Sequence, residues 1–250
     1  PPRSTLFPYT TLFRSALKKN YFHEYRFSED LDFSTRQLGK IENINTLIGL
    51  SVTKMQELLL ERGPFRVEFE PYLLRLPHPN DQIAYIIRVQ FPYHREPLCR
   101  LKVEISVDEP ILTTPNMRPL LHGFPEPIYA EIPVYSLLEI TAEKLRALLQ
   151  SKEKLNKRGW GATRVCRDYY DLYHLLEKNQ INKPELIPLL KKKCELRNIN
   201  YQTPHDFLSQ ELLNAARTEW LQQVAPFIPS APSADEILQK VEQRILSILT

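Results

Sequence analysis

The hydrophobic period of this chain changes near Ser136, and that change sets the class of fold. Before it, residues 67–74, 83–91 and 98–107 are strand-like stretches, rich in β-branched and aromatic residues and separated by Pro and Asn/Asp turn signals. Leu101, Val103, Ile105 and Val107 alternate with Lys102, Glu104 and Ser106, the two-residue repeat of a strand with one buried face. Short connections favour antiparallel pairing among the three stretches. One helix is expected earlier, over about 40–62, where Ile44, Leu47, Ile48, Val52, Met55, Leu58 and Leu59 recur at helical spacing and Gly63-Pro64 ends the run. A short helix is also expected over 16–23. The proline-rich stretch 108–133 reads as an extended excursion with a final short strand. From Ser136 onward the spacing is helical: about 136–151, 163–178, 184–198, 205–224 and 233–249, with Ser233 as an N-cap. The expected fold is α+β: a small mixed or antiparallel sheet over 16–135, then a C-terminal helical lobe over 136–250.

Composition narrows the class without naming a function. The 250 residues are 42% hydrophobic and 25% charged, ordinary for a globular chain able to bury a core. The net charge of +3 permits a nucleic-acid partner without demanding one. Cys99, Cys166 and Cys194 are odd in number and lack metal-ligand spacing, as suits packing residues in a reducing cytoplasm. The six histidines form no HExxH pair, which argues against a zinc enzyme. No segment has the length of a membrane span. Thr5-Leu-Phe-Pro-Tyr-Thr-Thr-Leu-Phe-Arg-Ser15 resembles the in-frame translation of a sequencing-library adapter. Residues 1–15 are therefore set aside from the expected fold, with a genuine N-terminal strand as the alternative.

The chemistry-bearing stretch is Arg26-Phe-Ser-Glu-Asp-Leu-Asp-Phe-Ser34. In an extended segment Asp30, Asp32 and Ser34 share one face and Leu31 and Phe33 the other. Two carboxylates on neighbouring same-face positions repel unless a cation or a shared proton offsets them. The pair reads as a magnesium platform for phosphate chemistry, against the plainer reading of a solvated acidic loop. Glu104 adds a third carboxylate if its strand lies beside this one; otherwise it is a solvent-facing glutamate. Lys144 falls among Leu137, Ile140, Thr141 and Leu148 on the apolar stripe of its helix. A lysine there must snorkel out or meet an anion, either a triphosphate or a carboxylate. Asp168 and Asp171 lie at i, i+3 on one side of the following helix, with Arg167 and Asp171 at i, i+4 as an ordinary ion pair. No glycine precedes Gly39, so the chain lacks a glycine loop that would cradle phosphate ahead of the acidic motif.

Tyr25-Arg-Phe-Ser-Glu-Asp-Leu-Asp-Phe-Ser34, Lys102-Val-Glu-Ile105, Ile140-Thr-Ala-Glu-Lys-Leu145 and Arg167-Asp-Tyr-Tyr-Asp-Leu172 follow one another in that order. Together they resemble the AbiEii/AbiGii toxin family of nucleotidyltransferases, within the DNA polymerase beta-like superfamily, over about residues 16–180. The resemblance implies a sheet of the nucleotidyltransferase type, then a helical lobe. It also implies a cytoplasmic toxin of a bacterial toxin–antitoxin or abortive-infection system directed against phage. The implied reaction moves NMP from an NTP to an RNA hydroxyl, transfer RNA being one acceptor class, or to a protein hydroxyl. A cognate antitoxin protein is the implied partner. By motif position Asp30 and Asp32 hold Mg2+, with Glu104 loosely in the third-carboxylate position. Arg26 and Ser28 stand beside the triphosphate, Lys144 holds the phosphates, and Asp168 completes the site with Asp171 close by. The family usually opens with Gly-Gly/Ser-Thr-Ala-Leu, of which only Ala16-Leu17 remain here. Two other classes stay open: a metal-dependent nuclease, and a non-catalytic binding module.

Overall fold

A computed structural model describes residues 10–13, 15–28, 30–35, 41–73, 82–107, 109–125, 128–162, 164–178, 181–228 and 230–250, and the structural statements below concern these. The chain divides into two compact units, Pro1–Tyr135 and Ser136–Thr250.

The first unit is built on a mixed sheet. Strands β1 (Thr10–Leu12), β2 (Leu31–Thr35), β3 (Arg66–Pro71), β4 (Gln82–Gln90), β5 (Cys99–Ser106), β6 (Asn116–Pro119) and β7 (Glu131–Val134) lie in the order β3-β4-β5-β2-β1-β7-β6. The expected antiparallel run β3-β4-β5 is present. Beyond it β2 pairs parallel with β5, and the β6-β7 pair joins the sheet through β1. Two results differ from the sequence reading. Residues 10–12, set aside with the adapter-like string, form a strand between β2 and β7, and Leu12 is buried. The proline-rich excursion holds two paired strands, not one, because Asn116–Pro119 finds Glu131–Val134 as a partner. The short helix expected over 16–23 is present as a single π-helical turn at Leu17–Tyr21, closed by the Phe22 N–H donating to the Leu17 carbonyl at 2.8 Å.

Helix α1 (Ile41–Leu60) covers one face of the sheet. Ile44, Ile48 and Val52 pack on Val67, Tyr85, Ile87, Val103 and Ile105, with Leu31, Phe33, Met55 and Leu59 at the margin. Leu58, expected in this stripe, is exposed. The helix stops where Gly63 takes φ 147, a conformation a side chain would strain, with Pro64 next. Since Leu31, Phe33, Val103 and Ile105 face α1, the alternation of a strand sends Asp32, Ser34, Glu104 and Ser106 to the opposite face.

The second unit is helical: α2 (Leu137–Arg158), α3 (Val165–Lys178), α4 (Lys183–Glu195), α5 (Gln210–Gln223) and α6 (Ala234–Leu249), with a 3₁₀ turn at Pro204–Leu208. Ser136 caps α2 by accepting from the Glu139 N–H, and Gly159 at φ 72 ends it. Ser233 caps α6 as expected, accepting from the Glu236 N–H at 3.2 Å. Helix α2 is not amphipathic in the manner its sequence suggests. Every residue from Glu139 to Arg146 is buried, Glu143 and Arg146 included, because α3 and α4 pack along it. Val165, Tyr169, Leu172 and Leu176 form the buried stripe of α3. The Tyr169 hydroxyl donates to the Phe207 carbonyl at 2.7 Å, and burial pushes its pKa up, so it remains a neutral donor.

Candidate active site

The acidic motif leads into β2. Asp30 sits in a bend immediately before the strand and Asp32 is its second residue, both half-buried. The parallel pairing of β2 with β5 sets Leu31 against Val103, Asp32 against Glu104, Phe33 against Ile105 and Ser34 against Ser106. Asp32 and Glu104 therefore stand on neighbouring strands at the same level, backbones roughly 5 Å apart. On the far side of Glu104 lies Ala84, and Gln82 donates to the Ser106 hydroxyl at 3.0 Å. Glu104 is buried and its carboxylate meets the Lys102 ammonium at 2.5 Å. Lys102 in turn lies 4.8 Å from the Tyr72 ring centre. Sequence reading had placed Lys102 and Glu104 on one face; it had not paired them, although their i, i+2 spacing carried the signal. Among the described residues no three His, Cys, Asp or Glu side chains converge on one point to hold a metal ion. Asp30 and Asp32 offer the hard oxygen donors that Mg2+ takes, commonly one or two carboxylates completed by water and substrate phosphate, so the residues present fit that ion.

Arg26 and Ser28 precede this strand. Arg26 is buried, with its guanidinium 5.7 Å from the Tyr25 ring centre and a long hydrogen bond of 3.4 Å to the Phe27 carbonyl. Ser28 is half-buried.

In the helical unit the Lys144 ammonium is 2.7 Å from an Asp168 oxygen and 2.7 Å from an Asp171 oxygen. The side chains of Lys144 and Asp171 are 6% and 0% exposed, and that of Asp168 is 13% exposed, so one carboxylate of the triad reaches water. Of the anions the sequence left open for this lysine, two carboxylates are in place, both from α3. Arg167 donates to the Gln223 carbonyl at 3.0 Å and lies over the Phe227 ring, an anchoring role the expected ion pair with Asp171 had not suggested.

A second buried network shares α2. Lys193 of α4 meets Glu139 at 2.6 Å and Glu143 at 2.7 Å, and Arg146 meets Glu143 at 2.7 Å. Burial opposes ionisation of Glu143, but Arg146 and Lys193 outweigh it and hold its carboxyl below the usual range. The sequence reading missed this cluster because Lys193 sits in a run of three lysines that looks solvated.

A family model for the nucleotidyl transferase AbiEii toxin of type IV toxin–antitoxin systems matches residues 15–240. The chain belongs to the AbiEii family. It is a nucleotidyltransferase toxin of a type IV toxin–antitoxin system, with an NTP as substrate and an antitoxin as its counterpart. Among solved structures the fold is similar to MenT4, a nucleotidyltransferase toxin from Mycobacterium tuberculosis H37Rv, at 20% identity and a TM-score of 0.57. That match covers 97% of this chain and 76% of MenT4. No match is found among curated proteins. No described helix of this AbiEii-family chain is long and apolar enough to cross a membrane.

Proposed function

We propose that this AbiEii-family chain transfers NMP from an NTP to the hydroxyl of an RNA, with transfer RNA the first acceptor class to test, in the cytoplasm and as part of a response to phage. The observation that carries the site assignment is the β2–β5 register, which sets Asp32 beside Glu104 on the face opposite the core. Asp30 and Asp32 would hold Mg2+, which when bound offsets phosphate charge and acidifies an acceptor hydroxyl. Glu104, already neutralised by Lys102, tunes the charge around Asp32 and is not a full ligand. Arg26 and Ser28 stand beside the triphosphate. Lys144, held between Asp168 and Asp171, would be the cation for phosphate oxygen. The acceptor oxygen attacks the α-phosphorus in line. The new O–P bond forms as the α–β bridging bond breaks, pyrophosphate departs, and the acceptor proton passes to water.

The test is Asp32→Ala, assayed with each α-labelled NTP and total RNA. Transfer should fall at least about 100-fold, the scale of losing one preorganised electrostatic contact, while the melting curve stays within a few degrees of wild type. Unchanged incorporation would remove Asp32 from the site.

A further inference from the structure

Residues 151–164 concentrate positive charge. Lys152, Lys154, Lys157, Arg158 and Arg164 stand against a single carboxylate, Glu153, in a chain whose entire net charge is +3. They occupy the last turns of α2 and its connection to α3. Lys152 is committed to Asp206 at 2.7 Å. Lys157 and Glu153 approach only to 3.5 Å in a water-exposed pair, the kind that yields readily to a better anion.

In the middle of this basic stretch Trp160 is 68% exposed. Gly159 and Gly161 flank it at φ 72 and φ 103, left-handed conformations that hold the turn open, and nothing lies within 4 Å of the Cβ position of either. The Arg158 guanidinium lies 6.0 Å from the indole centre. An indole with two thirds of its surface in water contributes little to the packing of the helical unit. Cations around an exposed aromatic face match a nucleic-acid strand, whose phosphates take the charges and whose unpaired bases take the ring.

We propose that the α2–α3 connection is a docking surface for single-stranded or looped RNA. Trp160 stacks on an unpaired base while Lys157, Arg158 and Arg164 neutralise backbone phosphates. The identity of that RNA as the reaction's acceptor rests on the proposed function; the surface itself rests on charge and exposure.

The experiment measures binding of a fluorescein-labelled tRNA transcript to the full chain by anisotropy, without NTP, across a salt series. Trp160→Ala should weaken binding about 5- to 100-fold, with Trp160→Phe recovering most of it, as expected for loss of one stacked base. Lys157→Gln with Arg158→Gln should weaken binding and flatten the slope of log K against log salt by roughly 1.5, the release of two phosphate contacts. All these side chains are solvent-facing, so circular-dichroism melts should match wild type. Wild-type affinity with all variants equal to it in Kd and salt slope overturns the proposal. So does an absence of wild-type tRNA binding, and so do variants that lose antitoxin binding while keeping tRNA. NMP transfer measured in parallel separates the two readings. A wild-type chain that binds tRNA through this surface yet transfers nothing sinks the acceptor assignment and leaves the surface standing.

Discussion

Replacing Lys144 by methionine tests how the helical unit holds its central charge. The ammonium lies 2.7 Å from both Asp168 and Asp171, and the Asp171 side chain is fully buried. Lys144→Met keeps the stem's volume and removes the cation, which leaves two carboxylates facing each other beside an apolar thioether. Removing one member of a buried ion pair costs about 3–5 kcal/mol, mostly because the remaining charge is stranded. For a chain of this length each kcal/mol moves the midpoint by about 2–4 °C, so the predicted fall in Tm is roughly 6–20 °C. Protonation in acid relieves the repulsion between the two carboxylates that the lost ammonium had offset, so the deficit should be largest near neutrality and shrink in acid. Adding Asp171→Asn should recover most of the stability, with Asp168 left partly solvated. If Lys144 holds phosphate as proposed, nucleotide transfer should stay lost. Differential scanning calorimetry at pH 7 and pH 4, beside a transfer assay, reads all three outcomes. A Lys144→Met loss below about 1 kcal/mol at neutral pH would show that the ammonium is not paired in solution, and the triad argument would fall.

Asp206 accepts from Lys152 and from the Thr203 and Gln202 N–H groups, which together lower its pKa to about 2. Its folded pKa lies below the unfolded carboxylate value near 3.9, so its contribution is complete above about pH 4 and disappears toward pH 2. Asp206→Asn should be less stable than wild type at pH 6 and converge on it as pH falls through that window; a constant difference down to pH 2 would contradict the assignment. Burial pushes the Cys166 and Cys194 thiols up to about 11, whereas Cys99 is exposed. An aromatic disulfide reagent at pH 8 should modify Cys99 quickly and the other two only on unfolding. Rapid reaction of all three in the native chain would show that the helical unit is looser than described. Lys193→Met, which removes the cation that Glu139 and Glu143 share in the buried network of α2 and α4, should also cost about 3–5 kcal/mol, measurable by urea unfolding.

Local spacing and tertiary packing divide their control of this chain at particular pairs of residues. Alternation along 101–107 announced that Val103 and Ile105 face a core and Glu104 does not, because a strand has only two faces. Nothing in that alternation said that Leu31–Thr35 would be its parallel neighbour. Parallel pairing joins segments far apart in the chain, and here the connection runs through α1, β3 and β4 before returning. Lys144 was visible as a charge on an apolar stripe. Which anion meets it depended on α3 packing against α2, since two helix surfaces decide their contacts by rotation as well as by sequence. Helical spacing puts Glu143 and Arg146 off that stripe, yet both are buried. Amphipathic reasoning assumes one covered face, and α2 is covered on several.

The sequence by itself determined the α+β class, the three antiparallel strands ahead of five helices, the cap at Ser233, and the faces taken by residues 101–107. These depend on local sterics and on spacing within a few residues. Only the tertiary structure decided that Asp32 adjoins Glu104, that Glu104 is held by Lys102, that Lys144 sits between two aspartates, and that residues 10–12 belong to the sheet. Such contacts are set by long-range pairing and by burial of charge, where the energy of a residue depends on neighbours that no local window contains.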